Sequence, residues 1–300
     1  MSPILFAMPG NKGLTGQLGA ALNWPVGRLQ VHYFPDGESN PRFLDEVSGR
    51  QIVIVCTLDQ PDSRIMALYL AAKVARELGA TRIGLVAPYL AYMRQDARFH
   101  HGEGITSMHF AQLISGCFDW MVTVDPHLHR HHALSDIYTI PAVAVQAAPA
   151  ISRWIAAHVT NPVVIGPDAE SEQWASEVAN AAKCPYTVLQ KVRHGDRNVK
   201  ISVPDSSRWQ GMTPVLVDDI ASTARTLIAA TGHLHAAGLP APVCIVVHAL
   251  FVDDAYIALQ DAGVNRIVSC NTVDHPSNNI DVCTQMVTAL QQLAQLTDAS

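Results

Sequence analysis

Two adjacent carboxylates followed by hydroxyl-bearing residues are the most distinctive chemistry in this sequence. Asp218 and Asp219 come directly after the apolar run Val215–Val217, which indicates a strand buried on both faces. The residues that follow are small, hydroxylated or basic, and they lead into an apolar-periodic helix: Ser222, Thr223, Ala224, Arg225 and Thr226. Such a helix N-terminus offers N–H and hydroxyl donors to an anion, usually a phosphate, which the carboxylates would repel. Both features suit a ligand with hydroxyls at one end and phosphate at the other, so the stretch predicts a phosphorylated-sugar site. The ordinary alternative is a capped helix after a buried strand.

Further polar segments follow or connect the predicted strands. They are Phe34-Pro35-Asp36-Gly37-Glu38, the charged run around Arg94-Gln95-Asp96, the histidine-rich run 125–132, Pro167-Asp168-Ala169 and the basic run Lys191–Asn198. Taken singly, each has an ordinary explanation as a solvated turn or loop, or, for Asp168, as a helix cap. The spacing of His127 and His129, with no cysteine nearby, does not match the usual structural zinc patterns.

Taken in order, these segments resemble the motifs of the ribose-phosphate diphosphokinases. The stretch from Asp218 to Thr226 is similar to the phosphoribosyl pyrophosphate loop of that family and of the type I phosphoribosyltransferases. The Arg94-Gln95-Asp96 run favours the diphosphokinases over the phosphoribosyltransferases, because simple phosphoribosyltransferases lack it. One departure lies at Arg225, where the diphosphokinases often have glycine. Either Arg225 takes an ordinary backbone conformation, or it alters phosphate binding and adds a charge of its own.

The resemblance implies transfer of a pyrophosphoryl group from magnesium-ATP to the 1-hydroxyl of ribose 5-phosphate, which gives phosphoribosyl pyrophosphate and AMP. It implies ATP binding by Phe34, Asp36, Glu38, Arg94, Gln95 and Asp96. It implies ribose 5-phosphate binding by Asp218, Asp219 and Ser222 to Thr226, catalysis by Lys191, Arg193 and His127, and Mg2+ binding by His127 and Asp168. It also implies a homo-oligomer in which Phe34 contacts the adenine in a neighbour's ATP site. The rival functions are a non-catalytic regulatory homologue, which should have lost such residues, and a nucleobase phosphoribosyltransferase, which needs no ATP site.

Composition narrows the class of protein further. The chain has 300 residues, 49% hydrophobic and 15% charged, which is long enough for two domains with full cores. A net charge of −6 with 20 basic residues gives no electrostatic footprint for nucleic acid or an anionic membrane. The six cysteines are scattered singly, as expected of free thiols in a reducing compartment. Without a signal-like N-terminus or a membrane-length apolar run, we expect a cytoplasmic protein.

Short apolar strands alternate with helical patterns, which predicts an α/β fold with largely parallel sheets flanked by helices. We place strands at Ile4–Ala7, Gln51–Cys56, Ile83–Val86, Met121–Val124, Val163–Ile165, Tyr186–Leu189, Val215–Val217, Cys244–Val247 and Arg266–Ser269. The clearest helices are Ser63–Leu78 and Thr223–Ala237.

An internal repeat predicts two similar domains, and the resemblance implies that both are phosphoribosyltransferase-like. Ile52–Tyr89 and Val215–Leu250 share one plan of strand, polar turn, helix, glycine and strand. We place the domains at 1–145 and 146–300, with the join within Pro141–Pro149. The first copy lacks the acid pair, so the sugar-phosphate site is expected in the second only and the ATP loops in the first. The last helix, Val282–Leu296, could pack on either.

Overall fold

The chain forms two compact units. The computed structural model describes residues 2–128, 130–194, 198–202, 204 and 206–296, with residue 170, 191–194 and 198–202 described by their backbone alone. Unit 1 contains the chain up to Gln146 together with the segment from Cys283 onward, and unit 2 is Ala147–Val282. The C-terminal helix therefore belongs to unit 1. Within the described ranges, no helix is long and apolar enough to cross a membrane.

Strands and helices alternate throughout the described chain. Up to Gln146 the elements are β1 (Ile4–Ala7), α1 (Lys12–Leu22), β2 (Val26–Gly27), β3 (Leu29–Tyr33), β4 (Ser39–Phe43), β5 (Gln51–Val55), α2 (Pro61–Glu77), β6 (Arg82–Ala87), α3 (Thr106–Ser115), β7 (Trp120–Val124) and β8 (Ala142–Val145). They continue with α4 (Ala148–His158), β9 (Pro162–Gly166), α5 (Glu172–Ala182), β10 (Tyr186–Val188), β11 (Gln190–His194), β12 (Asn198–Ser202), β13 (Thr213–Ala221), α6 (Arg225–Ala236), β14 (Val243–Ala249), α7 (Ala255–Asp261), β15 (Arg266–Cys270), β16 (Asn278–Ile280) and α8 (Cys283–Gln295).

Each unit is built on a six-stranded sheet whose neighbouring strands are all parallel. The strand order is β2-β1-β5-β6-β7-β8 in unit 1 and β10-β9-β13-β14-β15-β16 in unit 2. The two orders correspond strand for strand, so β5-α2-β6 is the counterpart of β13-α6-β14. The central strands are fully buried, as Ile52–Val55 and Val215–Val217 show, because a parallel sheet carries helices on its faces. The predicted α/β fold with two similar domains is confirmed.

Each unit also inserts an antiparallel hairpin at the same place in this order. The pair β3-β4 comes between β2 and β5, and β11-β12 comes between β10 and β13. The sequence did not predict either hairpin as strands. Most of β3 and β4 is exposed or partly exposed, so neither strand shows the apolar pattern that marks a buried strand.

Most predicted strands lie within a residue or two of the observed ones, but one observed strand is longer than predicted, and one strand within the predicted join was not predicted. The strand predicted at Val215–Val217 continues to Ala221, which places the acid pair inside it. The predicted join also contains β8, an edge strand that is only partly buried.

Packing between β6 and β7 depends on a glycine. Gly84 lies opposite Trp120 in the parallel register, and the Trp120 side chain is fully buried. A Cβ atom added to Gly84 would overlap the indole ring of Trp120. Glycine is therefore required here for close approach.

Gly84→Ala should lower the free energy of unfolding of unit 1 by about 1–3 kcal/mol, because the indole cannot move without disturbing a packed core. The matched control is Gly16→Ala, on the exposed side of α1 with no neighbouring atom within 4 Å of the new methyl group. It should instead stabilise by about 0.5–1 kcal/mol. Urea unfolding measures both, and effects of the same sign would contradict the packing argument.

Candidate functional site

The acid pair lies where β13 has lost one of its two neighbours. Strand β9 pairs with Thr213–Leu216 and ends at Gly166, while β13 continues beside β14 as far as Ala221. Asp218 and Asp219 are thus within the strand rather than after it, which corrects the sequence interpretation. The apolar run stops at the two carboxylates, so the sequence predicted the end of the strand too early. Both side chains are partly buried at the carboxyl edge of the sheet.

Negative charge is concentrated at this edge. Burial, followed by the charges of Asp219 and Asp168, raises the pKa of Asp218 well above its ordinary value. The backbone N–H of Asp219 donates a hydrogen bond of 3.0 Å to Asp218 Oδ1, which favours the ionised form but does not offset the other effects. The arrangement suits a ligand that brings hydroxyl donors or a cation.

The residues after the acid pair form an open helix N-terminus. Ala224 has a left-handed backbone (φ 54°) and precedes Arg225, the first residue of α6. The residue at the cap position is alanine, so its side chain cannot accept a hydrogen bond from the leading N–H groups of α6. Uncapped N–H groups at the positive end of a helix dipole favour an anion. Arg225 itself has an ordinary helical conformation, which answers the backbone question that the sequence left open.

The start of this loop is held by the segment after β14. Leu250 N–H donates to the carbonyl of Ala221 at 3.0 Å, and Val252 N–H donates to the carbonyl of Ser222 at 3.1 Å. This segment could not be recognised from the sequence, because backbone hydrogen bonds leave no motif. It fixes the position from which the Ser222–Thr226 loop begins.

The corresponding loop of unit 1 is hydrogen-bonded to an arginine of the helix that follows it. Gln60 at the cap of α2 also has a left-handed backbone (φ 52°), and Pro61 follows it. The Arg64 guanidinium donates to the carbonyls of Pro9 and Asp59 at 2.9 and 2.7 Å, and to Asp59 Oδ2 at 3.1 Å. The two loops thus share a left-handed residue before the helix, but the loop of unit 1 is hydrogen-bonded to an arginine of its own helix.

In unit 1, polar segments follow the adjacent strands β6 and β7. Parallel strands bring the segments after their carboxyl ends to one edge of the sheet. Arg94 and Gln95 are exposed there, and His127 is partly buried. Asp96 differs from its two neighbours, since its side chain is only 2% exposed and its Oδ1 accepts a hydrogen bond of 2.6 Å from Arg130 Nη1. The sequence grouped Asp96 with the ATP contacts and did not single out Arg130.

The turn between β3 and β4 carries the predicted adenine-binding residues. Phe34 N–H donates to the carbonyl of Glu38 at 2.8 Å, and Gly37, with φ 95°, donates to the carbonyl of Phe34 at 2.9 Å. Asp36 Oδ1 accepts the Glu38 N–H at 3.2 Å. Phe34 is 42% exposed, so its ring is available to another molecule.

The remaining predicted residues belong to unit 2. Lys191 and Arg193 lie in β11 rather than in a loop; their side chains and the tip 195–197 fall outside the described part of the chain, as does His129 in unit 1. Asp168 Oδ1 accepts the Ser171 N–H at 3.1 Å, so it caps the turn that precedes α5. This capping agrees with the ordinary explanation of Asp168. Across the described ranges, no group of three or more His, Cys, Asp or Glu is arranged to hold a metal ion.

Comparisons with known proteins match this organisation. Residues 3–117 match the family described as the N-terminal domain of ribose phosphate pyrophosphokinase, and residues 133–286 match the phosphoribosyl transferase domain. The chain is 30% identical to a ribose-phosphate pyrophosphokinase of Sulfolobus acidocaldarius, over 88% of this chain and 94% of the relative. It is 31% identical to that of Methanothermobacter thermautotrophicus, over 90% and 93%. The fold matches a phosphoribosylpyrophosphate synthetase from Mycobacterium smegmatis with a TM-score of 0.85 and 21% identity, over 97% of this chain and 99% of that one.

The charge at the acid pair predicts a measurable stability change. Asp218→Asn keeps an oxygen that can accept the Asp219 N–H and removes the repelled charge. Because the folded-state pKa of Asp218 is raised, its ionised form destabilises the fold at pH values above that pKa. Near neutral pH the ligand-free variant should unfold at a higher temperature than wild type, by about 2–4 °C per kcal/mol of repulsion removed. The difference should shrink as the pH falls through the raised pKa, since the wild-type carboxyl then binds a proton.

Asp254→Asn is the matched control, because Asp254 is exposed and makes no side-chain cap at the start of α7. It should change the midpoint little at any pH. A gap between wild type and Asp218→Asn that widened in acid would contradict the assignment of repulsion to Asp218.

Proposed function

The chain belongs to the ribose-phosphate pyrophosphokinase family of diphosphate-transferring enzymes, and we propose that it transfers the β,γ-pyrophosphoryl group of ATP to the 1-hydroxyl of ribose 5-phosphate. The observation that carries the proposal is the junction of β13 and α6. A partly buried acid pair lies near the end of β13, and a short loop then leads to an uncapped helix N-terminus. Carboxylates accept from sugar hydroxyls, and free N–H groups donate to a phosphate, so one ligand satisfies both.

Within that loop the roles divide by charge. We assign Asp218 and Asp219 to the ribose hydroxyls. The 5-phosphate is assigned to the backbone N–H groups and side chains of Ser222, Thr223, Ala224, Arg225 and Thr226. Arg225 is exposed at the first position of α6, where a guanidinium can reach an anion held at the helix end. The counterpart loop of unit 1 lacks the adjacent acid pair and is hydrogen-bonded to Arg64, which supports a sugar-phosphate site in unit 2 alone.

The ATP contacts are assigned to unit 1. Exposed Arg94 and Gln95 offer donors to the triphosphate, and the exposed ring of Phe34 offers a stacking surface for adenine. Asp36 and Glu38 lie in the same turn and would meet the polar edge of the base. Since Phe34 is exposed at the tip of a hairpin, we assign it to the ATP site of a neighbouring subunit, which makes the active form a homo-oligomer.

We propose that magnesium binds together with the triphosphate of ATP. Mg2+ prefers oxygen ligands and is usually held by one or two carboxylates together with substrate phosphates, rather than by a protein cage. Asp168 fits that donor chemistry, and His127 is assigned to the triphosphate and its metal. The raised pKa of Asp218 beside Asp219 and Asp168 supports a cation at this edge. When bound, the ion would offset negative charge on the phosphates.

The reaction forms a bond between the 1-hydroxyl oxygen and the β-phosphorus and breaks the bond between the β-phosphorus and the bridging oxygen to the α-phosphate. AMP leaves, and the hydroxyl proton is released. Such chemistry depends mainly on positioning and charge neutralisation, so no covalent nucleophile is needed. Lys191 and Arg193 are assigned to the charge that develops around the β-phosphorus.

Purified protein should form AMP from ATP only when magnesium and ribose 5-phosphate are both present. Asp219→Asn should raise the KM for ribose 5-phosphate by about 10–100-fold, the worth of a hydrogen bond to a charged group, and leave the KM for ATP nearly unchanged. Asp254→Asn, a neutralised acid after the neighbouring strand β14, should change neither constant. Equal losses for both substrates in the Asp219 variant would refute the division of roles.

Lys191→Ala and Arg193→Ala should each lower kcat by about a hundredfold with little change in either KM, because their cations act in the transition state. The double variant should lose less than the product of the two, since the residues act together. Lys200→Ala, in the partner strand of the same hairpin, is the control and should retain kcat. An unchanged kcat with a raised KM for ATP would make Lys191 and Arg193 binding residues instead.

A further inference from the structure

Asp96 is a buried carboxylate whose partner comes from a different loop. Its side chain is 2% exposed, and Arg130 Nη1 donates to Asp96 Oδ1 at 2.6 Å. Arg130 is 57% exposed in its side chain, so it covers the acid from the outside. A buried charge is strongly destabilising without its partner. The hydrogen bond between Arg130 and Asp96 is short, as is typical of a charge-assisted pair. The contact therefore holds the two loops in one arrangement.

Arg130 contacts the same loop at a second point. Its guanidinium carbon lies 5.6 Å from the centre of the Phe99 ring, within the range of a cation–π interaction. Phe99 is in turn part of a closed turn, because Glu103 Oε2 accepts the backbone N–H groups of Phe99 and His100 at 2.8 and 2.9 Å. One arginine thus contacts the 94–103 loop at both Asp96 and Phe99.

The start of this loop is fixed by backbone hydrogen bonds. Gln95 N–H donates to the carbonyl of Tyr92 at 3.1 Å, and Ser107 N–H donates to the carbonyl of Gln95 at 3.2 Å. The side chains of Arg94 and Gln95 are exposed to solvent. Their direction therefore depends on the backbone that Asp96 anchors, one or two residues away.

We propose that Arg130 is a positioning residue, which links the 94–103 loop to the segment that carries His127 and thereby holds Arg94 and Gln95 in register with His127. The proposal rests on the proposed function, since it names how that ATP site is held in shape. The guanidinium is committed to Asp96 and Phe99 and acts through them rather than by contact with the nucleotide. Asp96 then contributes as the anchor inside the protein and not as an ATP ligand.

The test separates positioning from simple stability. Arg130→Ala should raise the KM for ATP by about tenfold or more while the KM for ribose 5-phosphate stays the same, because small misplacements of binding groups are costly. It should also lower the unfolding temperature, since Asp96 is left charged and unpaired. Asp96→Asn combined with Arg130→Ala removes that charge, so the unfolding temperature should recover while the KM for ATP stays raised. Recovery of both together would overturn the proposal.

Arg76→Ala is the matched control. Arg76 pairs with Asp119 at 2.8 Å at the opposite end of β7, so its loss should leave the KM for ATP unchanged. If Arg130→Ala fails to fold, the double variant gives the same comparison with wild type. A KM for ATP within about twofold of wild type in a folded variant would overturn the proposal.

A second readout needs no catalysis. Amide hydrogen exchange of residues 94–103 in the ligand-free protein should be faster in Arg130→Ala and in the double variant than in wild type, and unchanged in Arg76→Ala. Unchanged exchange in the double variant would overturn the link. A wild-type protein that forms no AMP would refute the proposed function, while the exchange result would still decide whether Arg130 fixes the loop.

Discussion

Parallel pairing of every strand in the two six-stranded sheets is the constraint on which the candidate site depends. Parallel strands direct all their carboxyl ends to one edge, so the segments that follow them are neighbours there however far apart they lie in sequence. In unit 1 this brings the 94–103 loop beside the segment that carries His127. The ion pair between Asp96 and Arg130 connects the two segments directly. In unit 2 it brings the loop after β9, with Asp168, beside the acid pair of β13.

Duplication of one topology accounts for most of the remaining architecture, and the differences between the copies account for function. Both units start a helix after a left-handed residue, Gln60 in one and Ala224 in the other. In unit 1 the Arg64 side chain donates to the carbonyls of Pro9 and Asp59 at this point, whereas in unit 2 the acid pair precedes a helix whose cap residue is Ala224. Both units insert a hairpin at the same point, and each hairpin carries residues that we assign to ATP chemistry.

The features that could be predicted from the sequence are those that leave a local pattern of residues. Buried parallel strands leave apolar runs, so the sheets, the repeat and the fold class could be predicted from the sequence alone. The end of β13 could not, because Asp218 and Asp219 break the run while the backbone continues beside β14. The two hairpins were missed because their strands lack an apolar run. A buried aspartate requires a cation, but nothing local in the sequence identifies Arg130, 34 residues away, as that partner.

The Ser222–Thr226 loop has Arg225 where the family often has glycine, yet Arg225 itself needs no unusual backbone conformation. The left-handed conformation falls on Ala224, where a side chain of one carbon costs about 1–2 kcal/mol relative to an ordinary conformation. Arg225 follows inside the helix and carries no such cost. It does place a positive charge at the positive end of α6, which is unfavourable by roughly 0.3–1 kcal/mol in the free protein. An anion bound at the same N–H groups, as we propose for the 5-phosphate, would offset that repulsion, because both the helix end and the guanidinium attract it. Under the proposed function, a bound phosphate therefore offsets the charge of Arg225 at the start of α6, and the left-handed Ala224 is part of the loop that receives it.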